Sequence, residues 1–145
     1  MTHRNEATVE IAAPAARVFP RLVGSEQRCQ WMGKLVESEP LTEGPPQVGS
    51  RFRDVFEDFG QRIELEAEVT EFQPDELLRV FLRSKAFEAT TTQRLEERDG
   101  CTRLRTEIET RYTLRGARLL GPLVGRSAQR QLEADLARLK ELVEG

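Results

Sequence analysis

The sequence predicts an α+β fold in which a curved, seven-stranded antiparallel sheet wraps around a long C-terminal helix. Three observations carry this. Pro122 to Val143 gathers Val124, Ala128, Leu132, Leu136, Leu139, Leu142 and Val143 on one side at helical period, with Arg126, Arg130, Glu133 and Lys140 opposite. Most of the preceding chain alternates apolar and polar residues at period two, in segments joined by short turns. Two short helical patterns follow the first of these strands directly. Strands joined in sequence by short turns imply an antiparallel meander.

In chain order, Glu6 to Ala12 sets Ala7, Val9 and Ile11 against Glu6, Thr8 and Glu10, a strand with one buried face. Pro14 ends it and opens a helix with an apolar stripe of Ala15, Val18, Phe19 and Leu22, closed at Gly24. Ser25 is placed to cap a second helix through Trp31, ending at Gly33. Leu35 to Leu41 forms strand two, followed by the loop Thr42-Glu43-Gly44-Pro45-Pro46. Gly49 to Phe59 forms strand three, turning at Phe59-Gly60. In Gln61 to Phe72, strand four, Ile63, Leu65, Ala67 and Val69 alternate with Glu64, Glu66, Glu68 and Thr70, which marks a solvated outer face because grouped glutamates are prohibitive in a core. Gln73-Pro74-Asp75 turns into strand five, Glu76 to Ser84. Strand six, Phe87 to Arg98, and strand seven, Thr102 to Thr113, flank Asp99-Gly100, whose residues suit the positive φ angles of a type I′ hairpin. Strands six and seven are about 40 Å long and must twist and coil, so the sheet wraps something. Gly116 to Gly121 leads into the last helix, where Gly121 can serve as N-cap and Pro122 suits the first turn.

The 145 residues fit one domain, 1–145, with a single core. A net charge of −3 with interleaved signs argues against a nucleic-acid partner. No apolar run approaches the ~18 residues of a membrane span, and the start, Met1 to Glu6, lacks a signal peptide's apolar region; both point to the cytoplasm. Cys29 and Cys101 are expected to be free thiols. One histidine and no metal-like spacing leave no zinc site, and no cofactor is expected. There is no Gly-rich phosphate loop, nucleophile elbow or His-Glu-x-x-His. His3 sits in a stretch expected to fray, so a triad lacks its base.

The order of elements resembles the helix-grip fold of the START-like, or SRPBCC, superfamily, and most of all its polyketide cyclase/dehydrase-like branch. The likeness rests on Val9-Glu10-Ile11-Ala12-Ala13-Pro14-Ala15 with Val18-Phe19, on Trp31, on Val48-Gly49-Ser50-Arg51-Phe52, on Val69-Thr70-Glu71-Phe72, and on Leu132 to Leu139. The resemblance implies a cavity between sheet and helix for an apolar or amphipathic small molecule, with Trp31 near its entrance. It leaves three roles open: simple binding, a cyclase or dehydratase-like enzyme without metal, and a lipid or quinone carrier or protein-partner module. The partner role calls for an exposed apolar patch around Leu119-Leu120 and the loop Thr42 to Pro46.

Strand alternation nominates Phe52, Phe56, Leu65, Val80, Phe87, Thr91, Gln93, Thr106, Ile108 and Tyr112 as facing that cavity, the helical stripe adds Val124, Ala128 and Leu132, and the resemblance adds Trp31. Thr91, Gln93, Thr106, Thr110 and Tyr112 supply polar groups that need partners when buried, from each other or from a ligand. If Phe52 and Phe56 point inward, Asp54 and Asp58 share their face, making Asp54 and Tyr112 the candidate catalytic groups. A one-residue slip would instead put Arg51, Arg53 and Val55 inside, and Asp54 at the pocket mouth or paired with a neighbouring arginine is the purely structural alternative. Gly121, Gly125 and Ala128 in the first half of the helix leave volume that the later leucines remove, so the cavity is expected under the helix's first half and the packed core under its second. Asp135, at the edge of the apolar stripe, is expected to pair with Arg138 or reach the rim.

Overall fold

Period-two patterning builds the sheet. The computed structural model describes residues 2–58, 60–85, 87–112 and 121–145, with side chains in the last stretch from 127 onward. It contains β1 (Thr2–Ile11), α1 (Ala15–Val23), α2 (Ser25–Trp31), β2 (Leu35–Pro40), β3 (Arg51–Asp58), β4 (Gln61–Gln73), β5 (Leu77–Arg83), β6 (Phe87–Arg98), β7 (Cys101–Tyr112) and α3 (Gly121–Glu144). The seven strands form one antiparallel sheet in the order β1-β7-β6-β5-β4-β3-β2. β1 and β2, consecutive among the strands, therefore sit at opposite edges. α1 and α2 carry the chain between them, across one face.

Register fixes which residues share that inner face. Val69 pairs with Val80, Val80 with Thr91, Thr91 with Ile108 and Ile108 with Asn5. The next row runs Leu78, Gln93, Thr106, Ala7. On the outer face Glu64, Glu66 and Glu68 are exposed, and Arg53 and Arg51 meet the first two at 2.7 and 3.3 Å. Such exposed pairs contribute little each. Asp99 and Gly100 turn β6 into β7 with φ of 55° and 77°, as the type I′ signature requires.

α3 performs two tasks. Leu132, Leu136, Leu139 and Val143 join Ile11, Val18, Leu22, Trp31, Leu95 and Leu104 in the main core. The helix also covers the free edge of β1. The Gln129 side chain accepts from the Glu6 backbone N–H at 3.3 Å and donates to the Glu6 carbonyl at 2.9 Å, as a neighbouring strand would. Lys140 donates to the Glu10 carbonyl at 2.7 Å, and Glu144 accepts from the Ala12 N–H at 2.8 Å. An edge so occupied is closed to pairing with another chain.

Two local expectations are corrected. β1 begins at Thr2, and His3 is in register with Thr110, its ring edge-on to Tyr112 at 5.5 Å, so the N-terminal stretch is strand where fraying was expected. Ser25 is the first residue of α2 and makes no capping bond; Gly24 holds the N-cap position, and the Ser25 hydroxyl is buried without a partner among the described residues. α1 takes its polar cap from afar, because Glu97 of β6 accepts from the Ala15 N–H at 2.6 Å, an anion at a helix N-terminus. Cys29 and Cys101 are free and exposed. Val124, Gly125, Arg126, the Leu119-Leu120 pair and the end of strand seven at Thr113 fall outside the residues whose side chains are described.

Leu139 is fully buried where α3 meets the sheet. Leu139→Ala is expected to lower unfolding stability by about 2–5 kcal/mol, measured as a reduced urea midpoint at unchanged slope.

Candidate functional site

The helices do not fill the inner face evenly. A cavity of about 80 Å³ opens between the α1–α2 segment and strands β3 to β6. A cavity needs roughly 10–15 Å³ of such space to hold one water, so this one is several times that minimum. Leu22, Val23, Trp31 and Met32 form the helical wall; Phe52, Phe56, Ala67, Val69, Leu78, Val80 and Leu82 form the sheet wall. Four polar side chains, Arg28, Asp54, Thr91 and Gln93, complete the lining among the described residues.

Asp54 faces inward, as alternation from Phe52 demands, and is completely buried. It is not the free carboxylate that acid–base catalysis would use. Arg28 reaches down from α2 and donates to both its oxygens, at 2.9 and 3.0 Å, in a two-pronged ion pair. The Ser38 hydroxyl, on the neighbouring strand, donates to the same carboxylate at 2.7 Å and accepts from Arg28 at 2.7 Å. The guanidinium also sits 5.3 Å over the Phe52 ring. Arg53 and Arg51 point outward, so the slipped register does not occur; Val55 is nevertheless buried as well. Asp58 pairs with Lys34 at 2.6 Å.

Gln93 is held by its neighbour: the Thr106 hydroxyl donates to its Oε1. Both residues are buried. Trp31 is a wall and an anchor together, because its indole N–H donates to the Arg21 carbonyl at 2.8 Å and locks α2 onto α1. Of the nominated lining residues, Trp31, Phe52, Phe56, Val80, Thr91 and Gln93 meet in this cavity. Thr106 stands behind Gln93. Leu65 is buried opposite Asp54 in register, and Leu132 belongs to the packed core; neither lines the cavity. Ile108 is half-buried against the core on β7, and Ala128 is half-buried on α3. Phe87 and Tyr112 lie together near the ends of β6 and β7, with ring centroids 6.3 Å apart. Burial pushes the Tyr112 phenol upward, so it stays protonated at neutral pH and is available as a hydrogen-bonding group rather than a base. Val124 is outside the described side chains. Neither Leu136 nor Leu139 lines the cavity, whose described lining lies under α1–α2; the expected cavity under the first half of α3 falls on residues 121–126, outside the described side chains.

Sequence reasoning missed the polar groups Arg28 and Ser38, and it also left Leu22, Val23, Met32, Ala67, Val69, Leu78 and Leu82 out of the lining. A signal for Arg28 existed: it lies three residues before Trp31, so the two share a helical face, and that face carries Trp31 inward. The end of α2 is held from the other side by α3. Asp135 accepts from the Gly33 N–H at 2.9 Å and from Gln131 at 2.7 Å, while Arg138 donates to the Trp31 carbonyl at 2.9 Å. A Cβ at Gly33 would stand 2.9 Å from the side-chain tips of Arg138 and Gln131, which would have to shift to admit it. Arg138 lies 3.7 Å from Asp135, the expected pairing in a looser form.

Two outcomes follow from these contacts. Asp54→Ala leaves Arg28 as an unpaired cation against apolar walls and is expected to cost about 3–5 kcal/mol, whereas Arg28→Met with Asp54→Leu is expected to restore most of it; chemical denaturation of these variants beside the parent checks this. Burial raises the Asp135 carboxyl above its usual range, against the lowering pull of Gly33, Gln131 and Arg138. A raised carboxyl stabilises the fold fully below its unfolded value of about 3.9, and that contribution is lost as pH rises through the folded value. Asp135→Asn keeps an oxygen for Gly33, so its stability relative to the parent is expected to grow between about pH 4 and pH 7; a constant difference would contradict the assignment.

The whole architecture has relatives of known structure. The chain is similar to TTHA0849 from Thermus thermophilus, at 22% identity and a TM-score of 0.82, covering 97% of this chain and 96% of that one. It is similar to a START superfamily protein from Mycobacterium smegmatis, at 21% identity and a TM-score of 0.82, covering 98% and 97%. The Zhui aromatase/cyclase from Streptomyces sp. R1128 matches at 20% identity and a TM-score of 0.75, covering 99% and 94%. At these identities the likeness is one of fold. No curated protein matches the sequence. Residues 2–144 match the sequence pattern described as polyketide cyclase / dehydrase and lipid transport, and the chain belongs to that family.

Proposed function

We propose that this protein binds a mostly apolar small molecule in the cavity between α1–α2 and strands β3–β6. The observation that carries the reading is the lining itself: among the described residues, eleven apolar side chains around four polar ones, in a fold and family associated with hydrophobic ligands. Burying apolar ligand surface contributes about 25 cal/mol per Å², and the few polar groups orient the molecule. A cyclase or dehydratase role needs a group free to move a proton. Among the described lining residues the one carboxylate has both oxygens engaged by Arg28, and Tyr112 stands apart, so binding is the reading the geometry favours.

Toluene is a probe of suitable size and carries no polar group. Its titration is expected to shift the methyl resonances of Val69, Val80 and Leu82 in a saturable way. Ala67→Phe, which projects a ring into the cavity, is expected to abolish that shift at an overpacking cost of about 1–3 kcal/mol. Saturable binding that survives Ala67→Phe would place the ligand elsewhere.

A further inference from the structure

The cavity's charge arrangement narrows the class of ligand. This step rests on reading the cavity as the ligand site. Arg28 and Asp54 are the only charged side chains among its described lining residues. They cancel each other within hydrogen-bond distance, at 2.9 and 3.0 Å, with the Asp54 side chain fully buried and Arg28 only 13% exposed. Ser38 takes one further position on the carboxylate. A carboxylate ligand entering here would leave water for apolar walls and find no uncompensated cation among the described lining residues; beside Asp54 it would meet a like charge.

The neutral polar groups are arranged differently. Thr106 occupies the carbonyl oxygen of Gln93, which leaves the Gln93 amide nitrogen, a donor of two hydrogens, without a protein partner among the described residues. Thr91, one strand position away on the same face, offers a hydroxyl that makes no hydrogen bond among them. Neither donor is sealed from solvent, so each can be met by a ligand oxygen that accepts from it. We infer that the cavity selects neutral apolar molecules bearing a hydrogen-bond acceptor, such as the carbonyl oxygen of a ketone, ester or quinone, and discriminates against fatty-acid-like anions. Gln93 and Thr91 are its specificity-determining donors, and Asp54 is what keeps Arg28 from recruiting anions. The volume of about 80 Å³ fits a molecule whose acceptor-bearing end is about one ring in size.

Three probes of one ring size separate the contributions: acetophenone (neutral, with an acceptor), ethylbenzene (neutral, without one) and benzoate (anionic). Titration at neutral pH followed by amide NMR is expected to rank acetophenone first, ethylbenzene second and benzoate last, with at least a tenfold gap between first and last. Gln93→Leu is expected to reduce the preference of acetophenone over ethylbenzene about five- to tenfold, as loss of one hydrogen bond implies; taking the ratio of two probes cancels any general change in the cavity. Asp54→Asn leaves Arg28 charged and is expected to reverse the order, with benzoate above acetophenone. If that variant does not fold, the parent's ranking and Gln93→Leu decide the matter. Benzoate binding as tightly as acetophenone to the parent protein, or an acetophenone preference untouched by Gln93→Leu, would overturn the selectivity while leaving the cavity a ligand site. Failure of all three probes to bind would overturn both.

Discussion

A charged side chain can be buried in this fold only where its counter-charge meets it, and the rest of the site follows from that requirement. Arg28 belongs to α2 and Asp54 to β3, and the pair forms only when α2 lies across the inner face at the β2–β3 side of the sheet. Ser38 bridges both partners. Pairs of this kind add little net stability compared with well-packed apolar residues, but they strongly penalise any arrangement that separates them. The pair therefore specifies the position of α2. Trp31 and Met32 become walls opposite Val80 and Thr91, and the intervening space stays open.

The other end of α2 is fixed by α3. Arg138 takes the Trp31 carbonyl and Asp135 takes the Gly33 N–H, satisfying backbone groups at the helix's end. α3 itself is committed along its length, with Gln129, Lys140 and Glu144 occupying the free edge of β1 while its leucines fill the core. The molecule thus divides its inner face. The β1–β7 side is packed against α3, and the β3–β6 side is roofed by the two short helices and left hollow. Two buried carboxylates, Asp54 and Asp135, hold α2 between sheet and helix.

Period-two alternation made the sheet legible, including strands β3 to β7, the Asp99-Gly100 turn and the inward direction of Phe52, Asp54, Thr91 and Gln93. It failed at the start of β1, where the inward positions are His3 and Asn5, polar residues that erase the apolar signal although the backbone pairs with β7 throughout. It named too many site residues for a related reason. Alternation assigns a face but not a place along it, so Thr106, Ile108 and Tyr112 were grouped with Gln93, although the described lining of the cavity lies on the β3–β6 part of that face. Arg28 escaped because its partner lies 26 residues away on another element. Opposite charges that meet only in the folded chain leave no pairing signal, and the one local cue, its place three residues before Trp31, marks a shared face on a seven-residue helix without saying what that face meets.

The central claim is that a charge-neutralised, donor-bearing cavity under α1–α2 holds the ligand. A crystal structure of the protein soaked with acetophenone tests it most directly. The account predicts the ring between Phe52, Val80 and Trp31, with the ketone oxygen within hydrogen-bond distance of the Gln93 amide nitrogen or the Thr91 hydroxyl. A ring lodged instead against Leu136 and Leu139, or a ketone oxygen turned away from both donors, would contradict it.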